Sequence, residues 1–135
     1  MNTTSVSRSD RVNICSSKHE IYKQLTDGPT APFKTMKDLF LSSAAVGVRR
    51  GSRLSIEKPT GIFAWSVFTP QEDIPFLYAL VLSLDEPIDL LLDQGKLLDI
   101  IEEYANSGIG ELHTELLSTT SPSLTLANKI LNEIY

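Results

Sequence analysis

Cysteine occurs once in the 135-residue chain, as Cys15, and histidine only twice, as His19 and His113. One thiol excludes an internal disulfide, and three such side chains cannot supply the thiolate-rich or multi-histidine sets that hold zinc. Long apolar runs are also missing: none approaches the roughly 20 residues that span a bilayer. Met1 to Asp10 is polar and lacks the apolar centre of a secretory signal. It reads as a flexible tail, residues 1–10, on a cytoplasmic protein. Phosphate loops, dinucleotide fingerprints and serine elbows are likewise missing. Gly47-Val48-Arg49-Arg50-Gly51 has neither the spacing nor the lysine-hydroxyl pair that grips a nucleotide.

What the chain does have is an uneven charge. Its net charge is −5, yet between Lys34 and Lys58 six basic residues face only Asp38 and Glu57. From Glu72 to Glu115, eleven acidic residues face Lys96 alone. Such asymmetry bears on partners more than on fold. The hydrophobic content of 41% and a mean hydropathy near zero are those of a folded chain, and the length suits one domain, expected over residues 11–135.

Arg11-Val12-Asn13-Ile14-Cys15 alternates as a half-buried strand does, with Val12 and Ile14 inward and Arg11, Asn13 and Cys15 outward. Ser17 precedes Glu20 at the spacing of a capping box, and Ile21, Tyr22 and Leu25 continue with helical periodicity until Gly28. Thr35 opens a second helix, with Asp38 in its first turn. Gly47 to Gly51 then reads as a basic turn. Arg53 to Glu57 and Phe63 to Phe68 read as two strands of a β-hairpin about Pro59-Thr60-Gly61. Thr69-Pro70-Gln71-Glu72 signals a helix start, carrying Ile74, Leu77, Tyr78, Val81 and Leu82 inward. Further short helices are expected over Pro87 to Asp93, Lys96 to Ala105 and Ile109 to Leu117, with Asn106-Ser107-Gly108 as a break. A last one begins at Ser121-Pro122. The expected fold is mainly α with a small antiparallel β element, of the α+β class, in a single compact domain of six or seven helices.

No catalytic, cofactor or metal site is assigned. Cys15 and His19 fall on different elements, so a packed thiol beside a surface histidine outweighs a nucleophile and its base. Asp85, Asp89 and Asp93 recur every four residues, a spacing that stacks carboxylates on a helix, but Pro87 interrupts them and further ligands are lacking. The candidate nucleic-acid contacts are Arg49, Arg50 and Arg53, with Lys34, Lys37 and Arg11. Guanidinium forks suit phosphates. The competing reading is a solvated turn, or pairing of those arginines with the acidic half of the same chain. A strand followed by two helices also follows the order of a ribbon-helix-helix unit, in which two chains pair their strands and lay Arg11, Asn13 and Cys15 into the major groove as a homodimer.

Several segments together resemble one family: Arg11-Val12-Asn13-Ile14, Phe33-Lys34-Thr35-Met36-Lys37-Asp38-Leu39-Phe40 running into Ser43-Ala44-Ala45-Val46-Gly47, Trp65-Ser66-Val67-Phe68, and Glu102-Glu103-Tyr104-Ala105-Asn106-Ser107-Gly108. Their order and spacing over residues 11 to 117 are similar to the DNA phosphorothioation-associated protein 4 family of small bacterial proteins, encoded beside sulfur-modification and restriction genes. The resemblance implies a cytoplasmic accessory component of a defence system, binding partner subunits of that system and in some contexts DNA, without catalysis, cofactor or membrane. A dimeric DNA-binding regulator is the alternative, and a metal-dependent enzyme using the aspartate row a third.

Overall fold

The structure, a computed structural model, describes residues 9–117. Strand β1 (Arg11–Cys15) leads through a 3-10 turn, Ser16–Lys18, into helix α1 (His19–Thr26). Helix α2 (Met36–Arg50) follows, then strand β2 (Pro59–Ala64) and a second 3-10 turn, Trp65–Val67. Helix α3 (Asp73–Leu82), a 3-10 segment at Ile88–Leu92 and the long helix α4 (Gln94–Leu117) complete the order.

Among the described residues there are thus four α-helices, not six or seven. Two expected helices fuse, because Asn106-Ser107-Gly108 lies inside α4 rather than between helices. Glycine there serves contact, not termination: a Cβ on Gly108 would sit 1.8 Å from the Ser43 carbonyl oxygen of α2. Gly47 of α2 answers it, since a Cβ there would sit 2.0 Å from the Tyr104 carbonyl oxygen. The two helices therefore cross backbone against backbone, with Ser43, Ala44 and Gly47 buried in the contact. Close approach of this kind needs residues without bulk. The expected helix over Pro87 to Asp93 is a 3-10 segment. The one beginning at Ser121 lies outside the described residues, as does most of the expected N-terminal tail.

The sheet is two-stranded and antiparallel, but its strands are not those of the expected hairpin. β1 pairs with β2, setting Arg11 opposite Ala64, Val12 opposite Phe63 and Cys15 opposite Pro59, with an irregularity between Val12 and Asn13. Arg53 to Glu57 stays outside the sheet because α4 takes its backbone groups. The Leu54 amide donates to the Glu103 carbonyl at 3.1 Å, and the Asn106 side-chain amide donates to the carbonyls of Leu54 and Ser55 at 3.1 Å each. Cys15, expected to face outward, is buried and accepts from the Glu57 amide at 3.1 Å.

Most of the helix ends follow ordinary capping chemistry, and the start of α1 departs from it. Thr35 caps α2 by accepting from the Asp38 amide at 3.0 Å. Gly51, at φ 65°, ends that helix in the left-handed region, with the Gly51 and Ser52 amides reaching the Val48 and Gly47 carbonyls at 3.0 Å each. Before α3, Thr69 and Asp73 satisfy each other: the Thr69 hydroxyl accepts from the Asp73 amide at 3.1 Å, and the Asp73 carboxylate accepts from the Thr69 amide at 2.8 Å. The partner of that threonine is Asp73, not the expected Glu72. No side-chain cap forms at α1, where the chain enters through the 3-10 turn.

Val12, Ile14, Tyr22, Leu25, Leu39, Phe40, Leu77, Val81, Leu97 and Leu112 join one core drawn from β1 and the four α-helices. Phe40, Phe63, Trp65 and Phe68 meet edge-on or tilted, with neighbouring ring centres 5.3 to 6.3 Å apart.

Candidate interaction surfaces

The six candidate phosphate contacts do not form one patch. Lys34 precedes α2 and Lys37 lies in its first turn, whereas Arg49 and Arg50 lie in its last turn and Arg53 just beyond. A helix of this length rises about 20 Å from end to end, so the lysines and the arginines belong to opposite ends of the molecule's central rod. What reads as a basic turn is the final turn of α2, its direction fixed by the Gly51 cap. Arg11, at the start of β1, lies across Gly61 of the neighbouring strand.

Lys37, Arg50 and Arg53 each pair with a carboxylate of the same chain. Lys37 meets the Asp73 carboxylate at 2.7 Å, with the two side chains 20% and 13% exposed. The hydrogen bond to Asp73 raises the Lys37 pKa. For Asp73, burial works upward, but the hydrogen bonds from Lys37 and Thr69 outweigh it and hold the carboxyl below its ordinary value. Arg50 reaches Glu111 of α4 at 3.1 Å and Glu115 at 4.0 Å. Arg53 is gripped on two sides, by Glu103 at 2.9 Å and by Glu86 at 3.3 Å, and its guanidinium stands 5.5 Å from the centre of the Tyr104 ring. Burial opposes its charge and the Glu103 contact prevails, raising its pKa. Partly exposed pairs of this kind contribute little stability singly. Their larger effect is to cancel the field that would attract phosphate.

The strand that a ribbon-helix-helix dimer would share is also engaged at home. β1 pairs with β2 along its length, and the Asn13 amide donates to a Glu102 carboxylate oxygen at 2.7 Å. Glu102 is only 4% exposed, so α4 fastens the strand with a buried carboxylate. The outward set expected for groove reading is broken too, with Cys15 buried and Asn13 half-buried. Periodicity could not show this, because Glu102 lies 89 residues from Asn13 and Glu57 lies 42 from Cys15.

A second buried polar group sits between α1 and α2. Burial pushes the Tyr22 hydroxyl pKa upward, with Glu102 acting in the same direction and Ser43 against it. Tyr22 and Ser43 are buried neighbours, and neither hydroxyl has a hydrogen-bond partner within ordinary geometry. Lys18, whose pKa burial lowers against an opposing influence from Cys15, donates to the Asn106 carbonyl at 2.8 Å. Lys18 thereby ties the 3-10 turn before α1 to α4.

The aspartate row is not a stacked set of carboxylates. Asp85 lies in a turn, Asp89 in the 3-10 segment, and Asp93 caps α4 by accepting from the Lys96 amide at 3.1 Å. Among the described residues no group of three His, Cys, Asp or Glu side chains is arranged to hold a metal ion. No described helix is long and apolar enough to cross a membrane.

Sequence reasoning missed one surface. Leu82 and Tyr78, both placed inward by periodicity, are 58% and 39% exposed, and Phe76 is exposed with them. Only Leu77 and Val81 of α3 are fully buried. The signal was present: Asp73-Ile74-Pro75-Phe76-Leu77-Tyr78-Ala79-Leu80-Val81-Leu82 carries one charge, and a helix apolar all round has no polar face to give to water. Just beyond it, Ile88 and Leu92 are 72% and 89% exposed.

A family model described as DNA sulphur modification system-associated protein 4 matches residues 11–134. No curated protein and no solved structure matches the chain.

Proposed function

Because the chain belongs to the DNA sulphur modification system-associated protein 4 family, we propose that it is a non-catalytic adaptor of such a system, acting by contact with protein subunits. The observation that carries this reading is the internal pairing of Lys37, Arg50 and Arg53 with Asp73, Glu111, Glu103 and Glu86. Those pairs cancel the charges of Asp73, Glu86, Glu103 and Glu111, and the remaining carboxylates of the stretch, among them the exposed Glu72, Asp85, Asp89 and Asp93, set the outer field. Like charge repels a phosphate backbone, and complementary charge draws a basic protein surface. Direct DNA contact is the lesser part of the proposal. The homodimeric regulator receives less support, since β1 pairs with β2 on one edge and gives its Asn13 amide to Glu102 of α4.

The test is affinity purification of the protein from its host, with and without nuclease. An adaptor retains subunits of the sulphur-modification machinery after the nucleic acid is digested. Loss of every subunit on digestion, or retention of none in either arm, overturns the proposal. Duplex binding by the isolated protein that weakens steeply with salt and with Arg49→Ala would shift the reading toward DNA.

A further inference from the structure

We propose that the exposed face of α3, continued by Ile88 and Leu92, docks a helical segment of a partner protein that presents an apolar stripe flanked by lysine or arginine. This deepens the adaptor reading by naming the surface and the chemistry of its partner. Pro75, Phe76, Tyr78, Ala79 and Leu82 are all exposed on α3, and at 100° per residue they share one side of the helix, opposite the buried Leu77 and Val81. The helix's only charge, Asp73, lies outside that side and is held by Lys37 and Thr69. Scattered apolar residues on a surface are ordinary, but a charge-free helical face continued by two further exposed aliphatic side chains marks a contact site.

Charge decides what covers it. Asp85 and Asp89 are exposed beside the apolar residues, with Asp93 at the far end of the 3-10 segment. A second copy of the chain would bring the same carboxylates against these, and a nucleic acid or an anionic membrane would bring phosphates. Both meet repulsion of like sign. A basic amphipathic helix instead buries its apolar stripe on Phe76, Leu82 and Ile88 while its cations reach Asp85 and Asp89, as helix-in-groove recognition does elsewhere.

The experiment titrates the full-length protein with two synthetic amphipathic peptides that share a leucine face and differ in carrying lysine or glutamate on the other. Calorimetry gives the affinities and amide chemical shifts map the site. The lysine peptide is expected to bind, to perturb α3 and residues 88–92, and to weaken as salt is added. Leu82→Lys combined with Ile88→Lys should reduce its affinity by about tenfold or more, and Asp85→Asn with Asp89→Asn should flatten the salt dependence. Both double variants alter exposed side chains, and unchanged urea unfolding would show that they still fold.

Equal binding of both peptides, perturbation confined to other elements, or affinity indifferent to both variants overturns the proposal. So does self-association of the wild-type chain that Leu82→Lys abolishes, which would make a second copy the occupant. A large loss of stability in the lysine variants of the free protein would also overturn it, because the face would then be covered from within the chain. The outcomes separate from those of the adaptor reading. Subunits retained from the host by the Leu82→Lys, Ile88→Lys variant would sink this surface and leave the adaptor standing. Peptide binding as described without any retained subunit would do the reverse.

Discussion

The crossing of α2 and α4 and the outer face of α3 differ in almost every physical respect. At the crossing, glycine backbones touch, arginines are paired with glutamates, and Glu102 holds β1 from a nearly closed interior. On α3, large apolar side chains stand in water beside exposed carboxylates. The first region satisfies its own groups and so sets the shape of the molecule. The second leaves its groups unsatisfied, which is where a partner can gain free energy by covering them.

The sharpest way to break that contrast is at the crossing. Gly108→Ala places a methyl group against the Ser43 carbonyl oxygen, so the helices must part, and a loss of about 3 kcal/mol or more in urea unfolding is expected. A neutral result would mean that the contact is looser than its geometry. Glu102→Ala strands the Asn13 amide and opens a hole at the strand, for an expected loss of about 1 to 3 kcal/mol, read by the same unfolding curves and by faster amide exchange at Asn13. Exchange at Asn13 equal to wild type would show that the carboxylate does not fasten the strand.

Asp73→Ala removes the reciprocal cap with Thr69 and the partner of Lys37, and should cost about 1 to 2 kcal/mol. Its pH dependence has a definite sign. The folded Asp73 carboxyl titrates below its ordinary value of 3.8, so its contribution is complete above that pH and is lost as pH falls through the folded value. Wild type and variant should therefore converge in stability in acid below pH 3.8. Lys37, with its pKa raised above 10.5, contributes fully below that pH and loses its contribution as alkali titrates the folded amine. The smallest effect is expected on α3, where Leu82→Lys should change stability by about 0.5 kcal/mol or less. A larger loss would erase the distinction between the two regions.

Much of the local structure was legible in the residues. Thr35 with Asp38 marked the start of α2, the alternation of Val12 and Ile14 marked β1 and its inward side, and Thr69 marked the approach to α3. Interactions over long separations were not legible. Asn106-Ser107-Gly108 carries the composition of a loop, and only the approach of Ser43 shows that its glycine is a contact inside one helix. Arg53 to Glu57 has the pattern of a strand, yet Glu103 and Asn106 take its hydrogen bonds. The candidate contacts show the same limit. Counting charges along the chain found Arg50 and Arg53, but not the glutamates some 30 to 65 residues away that hold them.

The sequence by itself determined the family, the largely helical character and the division into basic and acidic stretches, because each depends on residue identity and on neighbours within a turn or two. Tertiary structure alone decided which glycines separate helices and which join them, which strand pairs with β1, and which charges remain to meet another molecule. Those outcomes depend on which distant groups come within hydrogen-bonding or van der Waals distance, and no local pattern records that.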